Sequence, residues 1–358
     1  AYRAVLTSRG AALLEMELKG FSLEPGEPAG PGNRVPILRK GVPKGSRALT
    51  LIARPEDFGA DPAHQVWQAA RDADGRGVTF TLETPRGWTI TKRVTLPDPG
   101  GYDLGVELSF RAPPDSSADS VRYTLVGPAG PYIADSYRGI IGAEPPAGGF
   151  VERRGGEFEQ RDITKLQDEA LRHGYADELR RGQLRAVFAR GAYFVCALVT
   201  EERADAAGRP AGTVVEAELR AIDLDRPVER PDGESSRESM RGALLCELPL
   251  STGGATELYR LYAGPNALDA LRPLQIEETV NFGFFGIIGR FLMWLMKALE
   301  GLVGSYGVAI MLMTVIVRAC LLPVSYRTQL GMQRYTKKLQ KIKPQLEELE
   351  KRYACLLY

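Results

Sequence analysis

The sequence predicts a mainly β protein that ends in a few helices, and three observations support this fold class. Up to about residue 262, apolar and polar residues alternate in short runs such as ALLEMELKG and YDLGVELSF. Turn-rich stretches such as EPGEPAGPGNR separate these runs. Residues 302–324 then form an apolar run with a single charged residue. We therefore expect an antiparallel sandwich of two sheets, followed by helices that include one membrane span.

The strands of the sandwich can be assigned in order along residues 1–275, which we take as one β domain. Their segments are AYRAVLTS, ALLEMELKG, GVTFTLE, WTITKRVTL, YDLGVELSF, VRYTLVG, LRAVFARGAYFVCALVT, TVVEAELRAI, RGALLCELPL and TELYRLYAG. The polar segment QRDITKLQDEALRHGYADELRRG is consistent with a short helix or with a loop. In GPNALDALRP, Asn266 is expected to cap a short helix and Pro273 to end it.

The composition is that of a foldable globular chain, because 44% of the 358 residues are hydrophobic and 25% are charged. It excludes a disordered chain, a collagen and a polytopic membrane protein. The formal net charge of +1 hides an asymmetry. Residues 281–358 hold eleven Lys and Arg against four Asp and Glu, whereas residues 1–280 hold 35 against 41. A basic tail of this kind favours an anionic lipid surface as its partner.

Cysteine and histidine usage gives little support to metal, cofactor or redox chemistry. The four cysteines form no CxxC pair, and the two histidines are His64 and His173. Cys196 and Cys246 lie in apolar strand segments, so we interpret them as core thiols, with a disulfide as the alternative. We expect no metal and no cofactor.

Residues 276–302 are predicted to form a linker and an amphipathic helix. In NFGFFGIIGRFLMWLMKALEGLVG, large apolar residues recur at three- and four-residue steps, with Arg290, Lys297 and Glu300 among them. The helix could be a core helix of the β domain. Its aromatic and glycine content favours a helix that lies in a membrane interface.

Residues 303–325 are predicted to be a transmembrane helix, since at about 1.5 Å per residue this length crosses the hydrocarbon core of a bilayer. Six basic residues and no acidic one follow directly, from Arg327 to Lys343. The positive-inside rule then places the C-terminal side in the cytoplasm and the β domain outside. Residues 326–358 carry an apolar stripe with steps of three and four, which predicts an amphipathic helix in need of a partner. Pro344 is expected to kink or restart this helix.

Arg318 is the single charge inside the predicted span, and Thr314 lies one helical turn before it. A charged side chain at this depth costs about 2.5–3.5 kcal/mol on insertion scales. Two interpretations remain open. Arg318 either extends its long side chain to the cytoplasmic head groups, or faces a water-filled cavity formed with other helices.

The segment from FGFFGIIGR to KIKPQLEELEKRY closely resembles the bacterial YidC-type membrane protein insertase family. The matching features are the aromatic–Gly lead-in, GSYGVAIMLMTVIVR, the LLP that follows and the KIKPQLEELEKRY helix. Upstream, YRAVLTSRGAALLEMELKGF resembles the opening strands of the family's large periplasmic domain. ELYRLYAGPNALDAL resembles its closing strand and helix.

The resemblance implies a protein of the bacterial inner membrane. Its β domain would be a super-sandwich that is related to sugar mutarotases and lies in the periplasm. It implies a periplasmic interfacial helix at 282–300, the second transmembrane helix at 303–325, and the first arm of a cytoplasmic hairpin at 328–353. Arg318 matches the family's groove arginine, and Thr314 a polar position beside it. The implied function is insertion and folding of inner-membrane proteins without nucleotide or metal. The implied partners are nascent membrane proteins, the Sec translocon and the lipid bilayer. The ribosome is a candidate partner of the basic region, and no nucleic-acid specificity is implied.

Two competing hypotheses come from other function classes. One is a membrane-anchored periplasmic binding or sugar-modifying domain, whose chemistry usually requires paired histidines and a carboxylate in one cleft. The other is a simple anchor in which Arg318 reaches the head groups. The start at Ala1 and the unpartnered stripe also suggest a chain cut from a longer one at both ends. The closing ACLLY departs from the family pattern. We therefore expect this chain alone not to be a working insertase.

Overall fold

The computed structural model describes residues 2–22, 27–30, 32–38, 41–97, 100–129, 147–152, 158–162, 177–182, 184–191, 193–201, 213–229, 235–250, 254–280 and 286–353. The chain divides into two compact units, Ala1–Val280 and Asn281–Tyr358. The first is built of strands and the second of helices, which confirms the predicted fold class. The first unit extends past the predicted boundary at residue 275, because Ile276 and Thr279 are fully buried.

The structure describes seventeen strands in the first unit. They are β1 (Tyr2–Thr7), β2 (Ala12–Ser22), β3 (Arg34–Pro36), β4 (Leu51–Ile52), β5 (Gln68–Arg71), β6 (Gly77–Glu83), β7 (Thr89–Thr95), β8 (Asp103–Arg111), β9 (Ser120–Ala129), β10 (Ala147–Glu152), β11 (Phe158–Asp162), β12 (Asp177–Arg181), β13 (Leu184–Arg190), β14 (Phe194–Thr200), β15 (Thr213–Glu229), β16 (Ser235–Pro249) and β17 (Gly254–Pro265). Eleven of these strands lie in segments that the sequence predicts, and the other six, β3, β4, β5, β10, β11 and β12, were not predicted as strands. The segment QRDITKLQDEALRHGYADELRRG begins in β11 and ends in β12. The described ends are therefore strands, whereas a short helix or a loop was predicted. Its middle, with His173, lies outside the described residues.

These strands form three sheets, and every pairing among them is antiparallel. A nine-stranded sheet has the order β11-β10-β13-β14-β17-β8-β7-β6-β5, and a five-stranded sheet the order β12-β15-β16-β9-β4. They form the sandwich. The small third sheet, β1-β2-β3, is an addition to the two that the sequence predicts. Its strand β3 has only three residues and is too short to give a readable alternation.

The core lies between the sheets, and every second residue along a strand points into it. On β8 the residues that alternate with half-buried ones are almost fully buried, namely Leu104, Val106, Leu108 and Phe110. The rings of Phe110 and Tyr123 lie 4.8 Å apart and join β8 to β9. Aromatic pairs at this distance contribute about 0.5–1.5 kcal/mol beyond their buried area. Cys196 and Cys246 are buried free thiols, as the main interpretation of the sequence expects.

Short helices occupy the connections: α1 (Pro55–Phe58), α2 (Leu268–Leu271), and 3₁₀ turns at Lys44–Ser46, Pro62–His64, Arg272–Leu274 and Glu277–Thr279. The expected cap of α2 is wrong by one residue, since Ala267 holds the N-cap position and makes no side-chain cap bond. As predicted, α2 ends directly before Pro273, with Arg272 as its C-cap residue. Pro273 lies in the first turn of the following 3₁₀ helix, where its fixed φ fits and its missing N–H has no bond to lose.

The second unit consists of α3 (Gly286–Val303) and α4 (Tyr306–Tyr353). Gly304 ends α3 with a φ of 70°, a conformation that glycine adopts without penalty, and its N–H donates to the Glu300 carbonyl. The expected restart at Pro344 is wrong, because α4 continues through it to Tyr353. A proline removes one helical donor, and the flanking Lys, Gln, Leu and Glu residues favour the helix strongly enough to continue it.

Candidate functional site

The first part of α4 is the one described segment with the length and composition of a membrane-spanning helix. Tyr306–Pro323 has 18 residues with a mean hydropathy of 1.9, and 6% of it is buried within the chain. A core helix of a soluble protein would bury most of such a surface. The segment falls inside the predicted span of 303–325.

Arg318 and Thr314 lie one turn apart on this segment, as the sequence predicts. Both side chains are exposed. Thr314 donates its hydroxyl proton to the Met311 carbonyl at 2.7 Å, which satisfies the only donor of that side chain within its own helix. Within the described part of the chain, the Arg318 guanidinium has no hydrogen-bond or ion-pair partner. Its charge therefore remains available to a group outside this chain.

The helix also aligns two polar residues that the sequence analysis missed. At 3.6 residues per turn, Ser325 and Gln329 lie within about 60° of Thr314 around the axis, on the same side as Arg318. Both are exposed. Thr328 lies about 40° from Thr314 to the other side, and the apolar Leu321 lies between Arg318 and Ser325 along the helix. We call these four residues, Thr314, Arg318, Ser325 and Gln329, the polar face. The polar face could have been predicted by following the helical period of the polar residues to Gln329. From the sequence, that period was followed on the polar side only from Thr314 to Arg318.

The polar face runs from inside the apolar segment into its basic flank. Thr314 and Gln329 are about 22 Å apart along the axis, at 1.5 Å per residue. An arginine keeps its charge when it is desolvated, whereas a lysine can lose its proton. Chemically, the face offers one fixed positive charge at Arg318 and hydroxyl or amide groups before and after it, with the apolar Leu321 between Arg318 and Ser325.

The preceding helix α3 exposes aromatic side chains, as expected of an interfacial helix. The rings of Phe291 and Trp294 stack with centroids 6.0 Å apart, and 57% and 64% of these residues are exposed. Aromatic side chains at this density are typical of helices that lie at the head-group level of a membrane.

The described residues contain no group of three or more His, Cys, Asp or Glu side chains that could hold a metal ion. His64 is exposed at the end of the 3₁₀ turn Pro62–His64, and its Nδ1 is 3.1 Å from Oδ2 of Asp61. This pair lies three residues apart on one turn, and the sequence analysis overlooked it. His173 lies outside the described residues.

Known proteins resemble the chain over almost all of its length. Two relatives, each named membrane protein insertase YidC, come from Geobacter sulfurreducens, with 24% identity over 372 residues, and Anaeromyxobacter dehalogenans, with 28% identity over 370 residues. Each alignment covers 99% of this chain and 59% of the relative. The chain thus spans about three fifths of the length of these relatives. A third, from Azotobacter vinelandii, is 38% identical over 104 residues, or 27% of this chain and 18% of the relative.

A solved structure of a GalM/aldose epimerase homologue from C. elegans aligns with 74% of this chain and 96% of its own, at 9% identity and a TM-score of 0.43. Two family descriptions match consecutive parts of the sequence. Residues 1–295 match the YidC periplasmic domain, and residues 298–355 match the 60Kd inner membrane protein. Together these matches include the sandwich, α3 and the polar face, and the chain therefore belongs to the YidC family of inner-membrane proteins.

Proposed function

We propose that this chain is the part of a membrane protein insertase that carries its periplasmic domain and one substrate-contacting helix. The observation that carries the proposal is the polar face of α4, where Arg318 is the single charge in the apolar segment Tyr306–Pro323 of a YidC-family chain. In this proposal, a polar segment of an incoming membrane protein lies along the polar face while it enters the bilayer. No covalent bond is made or broken.

The physical role of Arg318 follows from the cost of moving polar groups into lipid. An acidic side chain costs about 2.5–3.5 kcal/mol at the centre of a bilayer. A fixed positive charge with nearby hydroxyl and amide groups offsets part of this cost, and its attraction for a carboxylate is stronger where little water screens it. We infer that substrates with acidic residues in their exported segments depend most on Arg318.

The orientation and partners belong to the same proposal. The six basic residues from Arg327 to Lys343 favour a cytoplasmic position for the end of α4. The sandwich then lies in the periplasm, and the aromatic residues of α3 lie at the periplasmic head groups. We propose nascent inner-membrane proteins as substrates and the Sec translocon as a partner. The basic region of α4 is a candidate contact for the ribosome.

The test is complementation of an insertase-depleted strain by the longer protein of which this sequence is a part. Arg318→Leu is expected to reduce growth and to slow the insertion of substrates with acidic exported segments. Arg318→Lys should retain partial function. Arg327→Leu is the matched control, because it removes an arginine from the same helix but from the opposite side to Thr314. Equal complementation by Arg318→Leu and by wild type would refute the proposal.

A further inference from the structure

A cavity of about 180 Å³ lies beside β2 in the first unit, and the insertase proposal does not use it. We call it the β2 cavity. Leucine, valine and alanine residues form most of its wall, among them Leu13, Leu38 and Val42. Among the described residues that line it, Glu15 and Arg47 are the two that carry a charge. The cavity thus combines an apolar interior with one acidic and one basic group.

Two backbone hydrogen bonds frame the β2 cavity by holding the segment before β4 against β2. The N–H of Leu13 donates to the Ala48 carbonyl, and the N–H of Ile37 donates to the Met16 carbonyl. Between these bonds the segment has ten residues, 38–47, whereas β2 has only two, 14 and 15. The longer segment must therefore arch away from the strand, and the space that it leaves is the cavity.

A β-bulge allows consecutive residues of β2 to line the cavity. Glu15 pairs with Val5 on β1 and Leu13 pairs with Leu6, so Leu14 is the extra residue of the bulge. The side chains of a regular strand alternate between its two faces, and the extra residue interrupts that alternation. Leu13, Leu14 and Glu15 therefore all line the same space.

The two charged residues of the wall have opposite signs but are not paired with each other. Both are half-buried. Nε of Arg47 donates to the carbonyl oxygen of Val42, a neutral acceptor, at 3.4 Å. Within the described part of the chain, Arg47 has no acidic partner, and the Glu15 carboxylate has neither a hydrogen-bond nor an ion-pair partner. Half-buried charges beside an apolar space favour a ligand that supplies the opposite charges.

We propose that the β2 cavity binds a free α-amino acid whose apolar side chain has about the size of leucine. The side chain of the ligand lies among Leu13, Leu38 and Val42. Its carboxylate accepts hydrogen bonds from Arg47, and its ammonium group donates to Glu15. The volume agrees with this class of ligand, because an engineered apolar cavity of about 150 Å³ holds benzene.

The experiment is equilibrium dialysis of the full chain in detergent against radiolabelled L-leucine. Binding is expected to saturate at millimolar leucine or below. Three compounds that each lack one part of leucine should compete about tenfold more weakly than unlabelled leucine, because each loses a charged hydrogen bond or the apolar contact. They are 4-methylpentanoate, which lacks the amine, 3-methylbutylamine, which lacks the carboxylate, and glycine, which lacks the apolar side chain.

Arg47→Gln and Glu15→Gln should each weaken leucine binding about tenfold, since each removes one charged partner of the ligand. Arg54→Gln and Glu83→Gln are the matched controls, because both residues are exposed and do not line the cavity, and binding should not change. Saturable binding that both cavity variants retain in full overturns the proposal. Should these variants fail to fold, the unchanged chain decides. Absence of saturable binding at millimolar leucine, or competition by any of the three compounds as strong as by leucine, also overturns it.

Discussion

The hydroxyl oxygens of Tyr123 and Tyr259 lie 2.6 Å apart and join the two large sheets, since Tyr123 belongs to β9 and Tyr259 to β17. Tyr259 donates its proton to the Sγ of Cys246 at 3.2 Å, so Tyr123 must donate to Tyr259. Burial raises the pKa of both phenols well above the ordinary value, which keeps both as neutral donors. A directed chain of hydrogen bonds therefore crosses the centre of the sandwich.

This direction predicts unequal effects of two similar substitutions. Tyr259→Phe leaves the Tyr123 hydroxyl without an acceptor and should cost about 1–3 kcal/mol of unfolding free energy. Tyr123→Phe leaves the bond from Tyr259 to Cys246 intact and should cost less. Urea unfolding of the chain in detergent measures both. The double variant should lose less than the sum of the single losses. Strict additivity would contradict the chain of bonds.

A second prediction concerns the close approach of the sheets at Gly242. A Cβ placed there would lie 2.2 Å from Cγ2 of Val187 on the facing strand β13, so Gly242→Ala forces a shift inside the core. Overpacking of this kind costs about 1–3 kcal/mol. Val187→Ala removes the opposing methyl groups and should restore part of the stability when the two changes are combined. Gly20→Ala is the control, because a Cβ there meets nothing within 4 Å. A double variant that is less stable than Gly242→Ala would refute the steric account.

Eleven of the seventeen described strands could be predicted from the sequence, because local alternation determines which side chains are buried. The six that were missed, β3, β4, β5, β10, β11 and β12, have six residues or fewer each. The same alternation predicts that Lys92 is buried, because it lies on the same face as Trp88, Ile90 and Val94, which are all buried. The prediction of WTITKRVTL as a strand did not include this register. Alternation does not predict which groups contact a buried side chain from other parts of the chain. The carbonyls of Gly10, Ala11 and Leu49 reach Lys92 through contacts of 43 to 82 residues in sequence separation.

At the candidate site, helical spacing was sufficient for Arg318 and Thr314, because both lie in one continuous helix. Ser325 and Gln329 obey the same period, but Ser325 is the last residue of the predicted span and Gln329 lies beyond it, among the basic residues of the flank. The path through Pro344 was harder to predict. A proline lowers helix stability locally, and the outcome depends on the summed preference of its neighbours along α4.

The third prediction tests the topology. Protease added to right-side-out spheroplasts should digest residues 1–280 and spare the part of α4 after Arg327. The reason is the unbroken positive charge of the flank from Arg327 to Lys343, which opposes transfer across the membrane. Immunoblots against tags at the two ends would follow each part. Protection of the sandwich in intact spheroplasts would reverse the proposed orientation.

The last prediction concerns the stability of the span in this chain alone. Arg318 has no partner among the described residues, so α4 must accommodate its charge by extending the side chain to the head groups or by drawing in water. Either solution leaves a residual cost of roughly 2–3 kcal/mol. Arg318→Leu removes that cost and should increase the fraction of this chain that inserts into membranes, as measured by protease protection after synthesis in the presence of inner-membrane vesicles.

The same substitution is expected to impair the longer protein, so stability and function should respond to it with opposite signs. Arg327→Leu is again the control, because it lies outside the apolar segment and should not raise insertion of this chain. A charge that only anchors the helix would be harmless to replace in the longer protein, whereas a charge that receives substrate would not. If Arg318→Leu does not improve the insertion of this chain and also leaves the longer protein fully active, Arg318 is not a substrate-contacting residue.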